Sequence, residues 1–225
     1  SGEALRNVNL SVQCGEQIGI CGPTGGGKTT LVDLITGLIS PSRGQVTVDG
    51  RDIAENIRGW QRNLGVVSQM VFLADDSLRR HIALGIPDGE VDEDALDEAV
   101  RLAQLGTFVQ SLSKGLDTVV GERGVRISGG ERQRIAIARA LYHRPQVLIF
   151  DEGTSALDNS TEQALMHSLE ALRGTHTVML VAHRLSTIRN ADRVVFIENG
   201  CVAGIGRFDA LHRSNESFRK IASAI

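Results

Sequence analysis

The sequence predicts an α/β protein with a mixed sheet, interrupted by an inserted helical subdomain. Two short apolar runs, "VLIF" before Asp151 and "TVMLVA" before His183, do not alternate with polar residues, which is typical of parallel strands covered on both faces. The Asn-Gly pair at 199–200, within "RVVFIENGCVAGI", indicates a hairpin and thus an antiparallel pair of strands. Between about 75 and 144 the spacing of apolar residues changes to the helical period.

The first part of the chain is predicted to contain short strands around one helix. Val8, Leu10 and Val12 alternate with polar residues as in a strand, and the apolar run 17–21 predicts a strand that leads into "GPTGGGKTT". The helix after this loop is predicted to end at Gly37. Further on, "QVTV" runs into the turn "DG", and "LGVV" predicts another short strand.

The middle of the chain is predicted to be helical, in "DSLRRHIAL", in "DEDALDEAVRLAQL" and in a helix that begins at Ser128. Strands return at "VLIF". We therefore expect an α/β core formed by residues 1–74 and 145–225, and a helical subdomain formed by residues 75–144.

Composition narrows the class of function. The formal net charge of −3 over 225 residues argues against a nucleic-acid-binding surface, which needs an excess of Lys and Arg. The basic residues at 132, 134 and 139 are therefore predicted to form a solvated helix face. The three cysteines lack metal-ligand spacing and are predicted to be small core residues. No run approaches the roughly 18 apolar residues that would span a bilayer.

Residues Gly22 to Thr29 match the pattern G-x-x-x-x-G-K-[ST] between a predicted strand and a predicted helix. In this pattern the backbone N–H groups of the loop bind the α- and β-phosphates of a nucleotide, Lys28 reaches the β- and γ-phosphates, and the Thr29 hydroxyl is offered to Mg²⁺. The alternative is a flexible glycine turn with a solvated lysine.

Polar residues follow three of the predicted strands, at the sheet edge where ligands of α/β proteins bind. Asp151 can organise a metal ion through its water shell, and Glu152 can deprotonate an attacking water. His183 follows the next buried strand and is either part of this edge or a structural histidine. Gln69 can ligate Mg²⁺ or hold the attacking water, or it is an ordinary loop amide.

The stretch "ISGGERQR" at 127–134 raises the question of why a helix would begin with two glycines. Ser128 and Glu131 have the spacing of a capping box, which satisfies backbone N–H groups at the helix start. A capping box does not require Gly129 and Gly130, which each cost about 1 kcal/mol relative to Ala in a helix. Free N–H groups without side chains are suited to an incoming phosphate.

Taken together, these residues resemble the nucleotide-binding domain of ATP-binding cassette (ABC) transporters along nearly the whole chain. The matching segments are "GPTGGGKTT" for the Walker A motif, Gln69 for the Q-loop, "ISGGE" for the signature, "VLIFDE" for Walker B, "SALD" at 155–158 for the D-loop, and His183 for the switch histidine.

The resemblance implies a RecA-like P-loop NTPase core, ATP and Mg²⁺ as cofactors, and ATP hydrolysis. It implies catalytic roles for Lys28, Gln69, Glu152 and His183, and metal contacts from Thr29, Gln69 and Asp151. The residues implied in ATP binding are Gly22, Pro23, Thr24, Gly25, Gly26, Gly27, Lys28, Thr29 and Thr30, together with Ser128, Gly129, Gly130, Glu131 and Asp158.

The resemblance also implies partners. Each ATP would lie between the Walker A loop of one chain and the signature helix of another, in a head-to-tail dimer for which a homodimer is expected. The segment "TVVGERG" resembles a stretch of exporter-type cassettes that senses the transmembrane domain. We therefore expect an exporter, or a lipid or oligosaccharide flippase, with this domain on the cytoplasmic face of the inner membrane.

Three positions depart from the family pattern. Glu131 stands where Gln is usual, and Gly153 replaces the usual Ala after the catalytic glutamate. The first aromatic residue is Trp60, so the aromatic that would stack on adenine is expected to precede residue 1, in a strand that this sequence does not include.

Two other classes of function fit the sequence less well. A soluble cassette of DNA repair or chromosome structure would place long coiled coils between Walker A and signature, and no sustained heptads occur there. A P-loop kinase or GTPase would leave "ISGGE" and His183 without a role.

Overall fold

A computed structural model describes residues 3–121, 124–125, 127–151, 157–170, 172–182 and 185–223, without the side chain of Ser223. The chain divides into two compact units. The first, unit 1, comprises Ser1–Leu64 and Gly174–Ile225, and the second, unit 2, comprises Gly65–Arg173. The predicted division into a core of 1–74 and 145–225 and a helical subdomain of 75–144 stays a prediction.

Ten strands and ten α-helices lie within the described ranges. In chain order they are β1 (Gln17–Cys21), α1 (Lys28–Thr36), β2 (Thr47–Val48), β3 (Arg51–Asp52), α2 (Ile57–Gln61), β4 (Leu64–Val67), β5 (Asp76–Ser77), α3 (Leu78–Ile82), α4 (Glu93–Leu102), α5 (Gly106–Ser111), β6 (Val119–Val120), α6 (Gly129–Tyr142), β7 (Val147–Asp151), α7 (Asn159–Glu170), β8 (Thr177–Val181), α8 (Leu185–Ile188), β9 (Arg193–Glu198), β10 (Cys201–Gly206), α9 (Phe208–Ser214) and α10 (Glu216–Ser223).

Unit 1 contains the strands β10, β9, β1 and β8, adjacent in that order. β1 is parallel to both β8 and β9, with Ile18 opposite Met179 and Arg193. β10 is antiparallel to β9, with a bulge between Val202 and Gly204. The predicted mixed sheet and hairpin are confirmed. Every residue of β1 and β8 is buried, as the unalternating apolar sequence of β8 predicted.

Unit 2 is built around α6, which packs against α3 and α4. Its core contains apolar side chains from all three helices, among them Leu78, Leu96, Ile135 and Ile137. β4 and β7 are neighbouring strands, and β5 and β6 form a separate antiparallel ladder. No helix among the described residues has the length and apolar character that a membrane span requires.

The prediction of a strand at 8–12 is wrong for the structure described here. Val8, Leu10 and Val12 are half-buried and their polar neighbours are exposed. The alternation therefore reflects a segment that packs one side against the protein and exposes the other. These residues form no β-ladder among those described, because the segment takes no neighbouring strand as a partner.

The basic face predicted at 132, 134 and 139 is only partly solvated. Arg132 is exposed, but Arg134 and Arg139 are half-buried. Arg139 donates from Nε to the backbone oxygen of His81 at 2.8 Å, so it joins α6 to the end of α3. Sequence periodicity missed this contact because the acceptor is a backbone oxygen 58 positions away.

The predicted core placement of the cysteines is correct for Cys21 and wrong for Cys14. Cys21 is buried in β1, whereas Cys14 is exposed in the turn that precedes this strand and Cys201 is half-buried. Burial raises the pKa of the Cys21 thiol to about 12, although the nearby Lys28 ammonium opposes the increase.

Candidate functional site

The loop between β1 and α1 has the backbone of a phosphate-binding loop. Gly22, Gly25 and Gly27 have φ values of 154°, 77° and 108°, which residues with a side chain rarely adopt. The N–H of Gly26 donates to the Pro23 oxygen at 3.0 Å, and the N–H of Leu31 donates to the Gly27 oxygen at 2.9 Å. The chain therefore turns tightly and enters the helix directly.

Two kinds of glycine occur in this loop. A Cβ on Gly22 would lie 2.0 Å from the Ile197 oxygen, and one on Gly27 would lie 2.6 Å from Leu5 Cδ2. A Cβ on Gly25 would meet nothing within 4 Å. Gly22 and Gly27 thus allow close packing within unit 1, whereas Gly25 borders open space, which suits a loop that accommodates phosphate groups.

Lys28 is the first residue of α1 and is only 6% exposed. Its ammonium donates to the Gly22 oxygen at 2.9 Å and to the Pro23 oxygen at 3.1 Å. These carbonyl groups hold the positive charge over the loop. The N-cap Gly27 provides no side-chain acceptor, so the N–H groups of the first turn are not capped by a side chain and can bind an anion.

The end of α1 is held by residues that the sequence analysis did not identify. Gly37 ends the helix in the left-handed conformation, as predicted. Trp60 Nε1 donates to the Ile35 oxygen at 2.7 Å, and Gln61 Nε2 donates to the Thr36 oxygen at 3.2 Å. Both carbonyl groups lack partners within the helix. No local sequence signal indicates these contacts, which join positions 25 apart.

The predicted sheet-edge residues are partly described. Asp151 is the half-buried last residue of β7, and Gln69 is exposed in a bend that follows the neighbouring strand β4. Glu152 and His183 lie outside the described residues, as do Gly153 and Ser155. The placement of Asp151 and Gln69 after neighbouring strands agrees with the prediction, and their catalytic roles remain predictions.

The helix predicted to begin at Ser128 does so, with Ser128 as its N-cap and a complete capping box. Ser128 Oγ accepts from the Glu131 N–H at 3.2 Å, and Glu131 Oε2 accepts from the Ser128 N–H at 2.7 Å. The Glu131 carboxylate also accepts from the Ser128 hydroxyl at 2.8 Å. Ser128 and Gly129 are exposed and Gly130 is half-buried, so the helix start is accessible at these first residues.

Asp158 precedes α7 and is held by three hydrogen bonds. Its carboxylate accepts from Ser160 Oγ at 2.6 Å, from Thr161 Oγ1 at 2.7 Å and from the Thr161 N–H at 3.0 Å. These bonds, led by the one from Ser160, hold the pKa of Asp158 well below its usual range. The carboxylate is ionised at neutral pH and is oriented by α7.

Two oxygen donors predicted for the metal fit Mg²⁺, which prefers hydroxyl, carboxylate and phosphate oxygens. Thr29 is exposed in the first turn of α1, next to the phosphate loop, and Asp151 ends β7. The loop is suited to a polyphosphate, because it is rich in glycine and borders open space at Gly25. These features define a nucleotide-binding domain of the P-loop NTPase class.

Comparison with known proteins identifies the family. The family model described as ABC transporter matches residues 5–155, and the chain belongs to this family. It is 43% identical over 225 residues to the "Beta-(1-->2)glucan export ATP-binding/permease protein NdvA" of Rhizobium meliloti (strain 1021), covering all of this chain and 38% of that protein. It is 42% identical over 218 residues to the "ATP-dependent lipid A-core flippase" of Syntrophus aciditrophicus (strain SB), covering 96% of this chain and 36% of the flippase.

A solved structure of a bacterial Atm1-family ABC exporter with ATP bound is similar to 99% of this chain, with a TM-score of 0.92 and 35% identity, and the match covers 39% of the exporter chain. The chain thus spans less than two fifths of the length of these relatives. Within the family, it corresponds to the ATP-binding domain.

Proposed function

We propose that two copies of this domain bind two Mg-ATP molecules head to tail and hydrolyse them to drive export through a transmembrane partner. Each ATP lies between the phosphate loop of one copy and the Ser128–Glu131 helix start of the other. The domain works at the cytoplasmic face of the inner membrane. The relatives named for glucan export and lipid A-core flipping support an exporter or flippase.

The observation that carries the proposal is the presence of two helix starts shaped for phosphate in one chain. The N-cap of α1, Gly27, provides no side-chain cap, and α6 starts with an exposed N-cap, Ser128, and an exposed first residue, Gly129. A helix N-terminus carries a partial positive charge and uncovered N–H donors. Two such starts can neutralise a triphosphate that the chain, with its net charge of −3, would otherwise repel.

Phosphate binding, metal binding and proton transfer are each assigned to particular residues of this chain. The loop N–H groups and Lys28 hold the β- and γ-phosphates, and Thr29, Gln69 and Asp151 are the residues that would hold Mg²⁺. Glu152 takes the proton from the attacking water, and His183 contacts the γ-phosphate. Developing negative charge on the transferred phosphoryl group is stabilised by Lys28 and by the start of α6.

Three exposed apolar side chains of unit 2 support a membrane partner. Met70, Phe72 and Leu84 are 87%, 81% and 54% exposed. In sequence they flank Leu78, whose N–H donates to the oxygen of Thr118, the first residue of the "TVVGERG" stretch, at 3.0 Å. Large exposed apolar side chains on neighbouring segments are typical of protein–protein contacts, and we assign this surface to the transmembrane partner.

Paired heterodimers test the head-to-tail arrangement. Lys28→Ala disables the phosphate loop, and Gly130→Asp puts bulk and negative charge at the start of α6. Chains with different tags allow each heterodimer to be purified away from homodimers. The measurement is the trapping of Mg-ATP, with Glu152→Gln in both chains so that the result does not depend on turnover.

One lesion on each chain should leave one intact site, because the Gly130→Asp chain supplies its loop and the Lys28→Ala chain supplies its α6. Both lesions on one chain should damage both sites, since each site takes one half from that chain. Trapping by the second heterodimer alone would overturn the proposal, because it would mean that each α6 serves the loop of its own chain.

A further inference from the structure

We infer that Gln133 is a positioning residue that orients Gln69 from the buried side of α6. This inference rests on the proposed function, since it concerns how the predicted Gln69 contact is held in place. Gln133 is only 2% exposed, and its Nε2 donates to the backbone oxygen of Ser68 at 3.3 Å. The hydrogen bond joins α6 to the residue that immediately precedes Gln69.

A buried amide is not the residue that packing alone would favour at this position. Burying an amide without a partner costs about 1–3 kcal/mol in proteins, and neighbouring buried positions of α6 hold Ile135, Ala136 and Ile137. The Gln133 donor satisfies a carbonyl group just beyond the last residue of β4, Val67. There the chain has left the sheet, and the Gln133 amide supplies a partner for that oxygen.

The acceptor determines what the bond can do. The Ser68 oxygen and the Gln69 N–H belong to the same planar peptide unit, so fixing the oxygen also fixes the plane from which Gln69 projects. On the other side of Gln69, Ser68 Oγ donates to the Met70 oxygen at 2.9 Å. Gln69 is exposed, and its backbone is therefore held on both sides while its side chain is available to a ligand.

Helix α6 also contains the proposed phosphate-binding start, so it links that start to the Gln133–Ser68 hydrogen bond. α6 begins at the Ser128 capping box, and Gln133 lies about one turn further along. A displacement of the α6 start by a nucleotide is transmitted through a rigid helix turn to the Ser68 peptide group. Gln133 thus couples the occupancy of the signature helix to the orientation of Gln69 within unit 2.

Methionine NMR on the 225-residue chain tests the positioning directly. The chain has three methionines, and Met70 is 87% exposed whereas Met179 is 7% exposed, so methyl-¹³C labelling reports on the Gln69 segment with internal references. Gln133→Leu removes the donor. We expect the Met70 methyl signal to shift and its relaxation to indicate faster motion, while the Met166 and Met179 signals stay unchanged.

Ile137→Val is the matched control, because it removes one buried methyl group from the same helix without touching the hydrogen bond. It should leave the Met70 signal in place even if it lowers thermal stability as much as Gln133→Leu does. If Gln133→Leu does not fold, Gln133→Glu is used instead, since it keeps the side-chain size and lacks the donor when ionised. An unchanged Met70 signal in a folded variant would overturn the inference.

A double-mutant cycle, measured by ATPase rates, separates a positioning role of Gln133 from general destabilisation. Gln133→Leu should lower kcat about 5- to 30-fold, with a smaller change in KM. In a Gln69→Ala background the same substitution should lower kcat less than about twofold further, because coupled residues are not additive. Equal losses in both backgrounds would contradict the inference. If Lys28→Ala does not lower the ATPase rate, the proposed function fails, and the NMR result still decides the role of Gln133.

Discussion

The Lys28 ammonium lies 2.9 Å from the Gly22 oxygen and 3.1 Å from the Pro23 oxygen. The ammonium group that is proposed to bind the nucleotide phosphates therefore also holds the two ends of the loop together. Because Lys28 is 6% exposed, its aliphatic stem packs within unit 1 while the ammonium remains among backbone acceptors. The lysine therefore has a structural part and an electrostatic part, which substitutions can separate.

Lys28→Met should keep the packing of the stem and remove the charge. A hydrogen bond to a charged group contributes about 1.5–3 kcal/mol, so we expect ATP affinity to fall about 10- to 100-fold. Isothermal titration calorimetry measures this change. The control is Lys114→Met, because Lys114 is exposed and distant from the loop in sequence. Equal affinities in Lys28→Met and wild type would show that the ammonium does not bind the phosphates.

Gly22→Ala and Gly25→Ala should differ strongly although both glycines lie in the same loop. An alanine at either position has an unfavourable φ, which costs about 1–3 kcal/mol. At Gly22 the new Cβ would also lie 2.0 Å from the Ile197 oxygen, whereas at Gly25 it would meet nothing within 4 Å. Urea denaturation should show the larger loss of stability for Gly22→Ala. Similar losses would contradict the close packing of Gly22 against β9.

Glu152→Gln tests the general base predicted from the sequence. The amide keeps the shape of the side chain but cannot accept the proton of the attacking water, so hydrolysis should fall about 10²- to 10⁴-fold. Mg-ATP binding should persist, and the variant should accumulate as an ATP-bound dimer in size-exclusion chromatography. Hydrolysis at the wild-type rate would rule out Glu152 as the base.

Glu131→Gln tests the departure from the family pattern at the start of α6. An amide oxygen can still accept from the Ser128 N–H, which the carboxylate now does at 2.7 Å, so folding should be nearly unchanged. Removing a negative charge from the phosphate-binding end should raise ATP-driven dimerisation slightly, by about 0.3–1 kcal/mol. Analytical ultracentrifugation with ATP measures this, and a large loss of dimer would mean that the carboxylate makes another essential contact.

His81 should make the stability of the chain depend on pH. Burial lowers the pKa of His81 below its ordinary value of 6.5, and the neighbouring Arg139 also disfavours a second positive charge, which Asp76 partly offsets. As the pH falls from 7 toward 5, the unfolded chain takes up the His81 proton at a higher pH than the folded chain does. The free energy of unfolding should therefore decrease, by at most about 1.4 kcal/mol per pH unit for this one group.

His81→Gln should flatten this part of the pH dependence, as measured by urea denaturation between pH 5 and 7. The control is His143→Gln, because His143 is exposed, and it should keep the wild-type dependence. A wild-type slope in His81→Gln would show that other groups dominate the acid sensitivity.

Local signals were sufficient for the parts of the site that are made within a few residues. The loop from Gly22 to Thr29, the end of α1 at Gly37, the capping box at Ser128 and the hairpin at 199–200 all depend on short-range sterics and hydrogen bonds. Each needs particular residue types at fixed spacing, such as a glycine where φ is positive, and the sequence alone therefore determined them.

Tertiary structure decided the contacts whose partners are far apart in the chain. The alternation at 8–12 predicted a strand, but a ladder needs a neighbouring strand and the segment has none among the described residues. Arg139 was predicted to be solvated and instead bonds to the His81 oxygen, while Gln133 bonds to the Ser68 oxygen. In both cases the acceptor is a backbone carbonyl, which every residue type possesses. Side-chain patterns cannot identify such an acceptor, and only the packing of α6 against its neighbours brings it within reach.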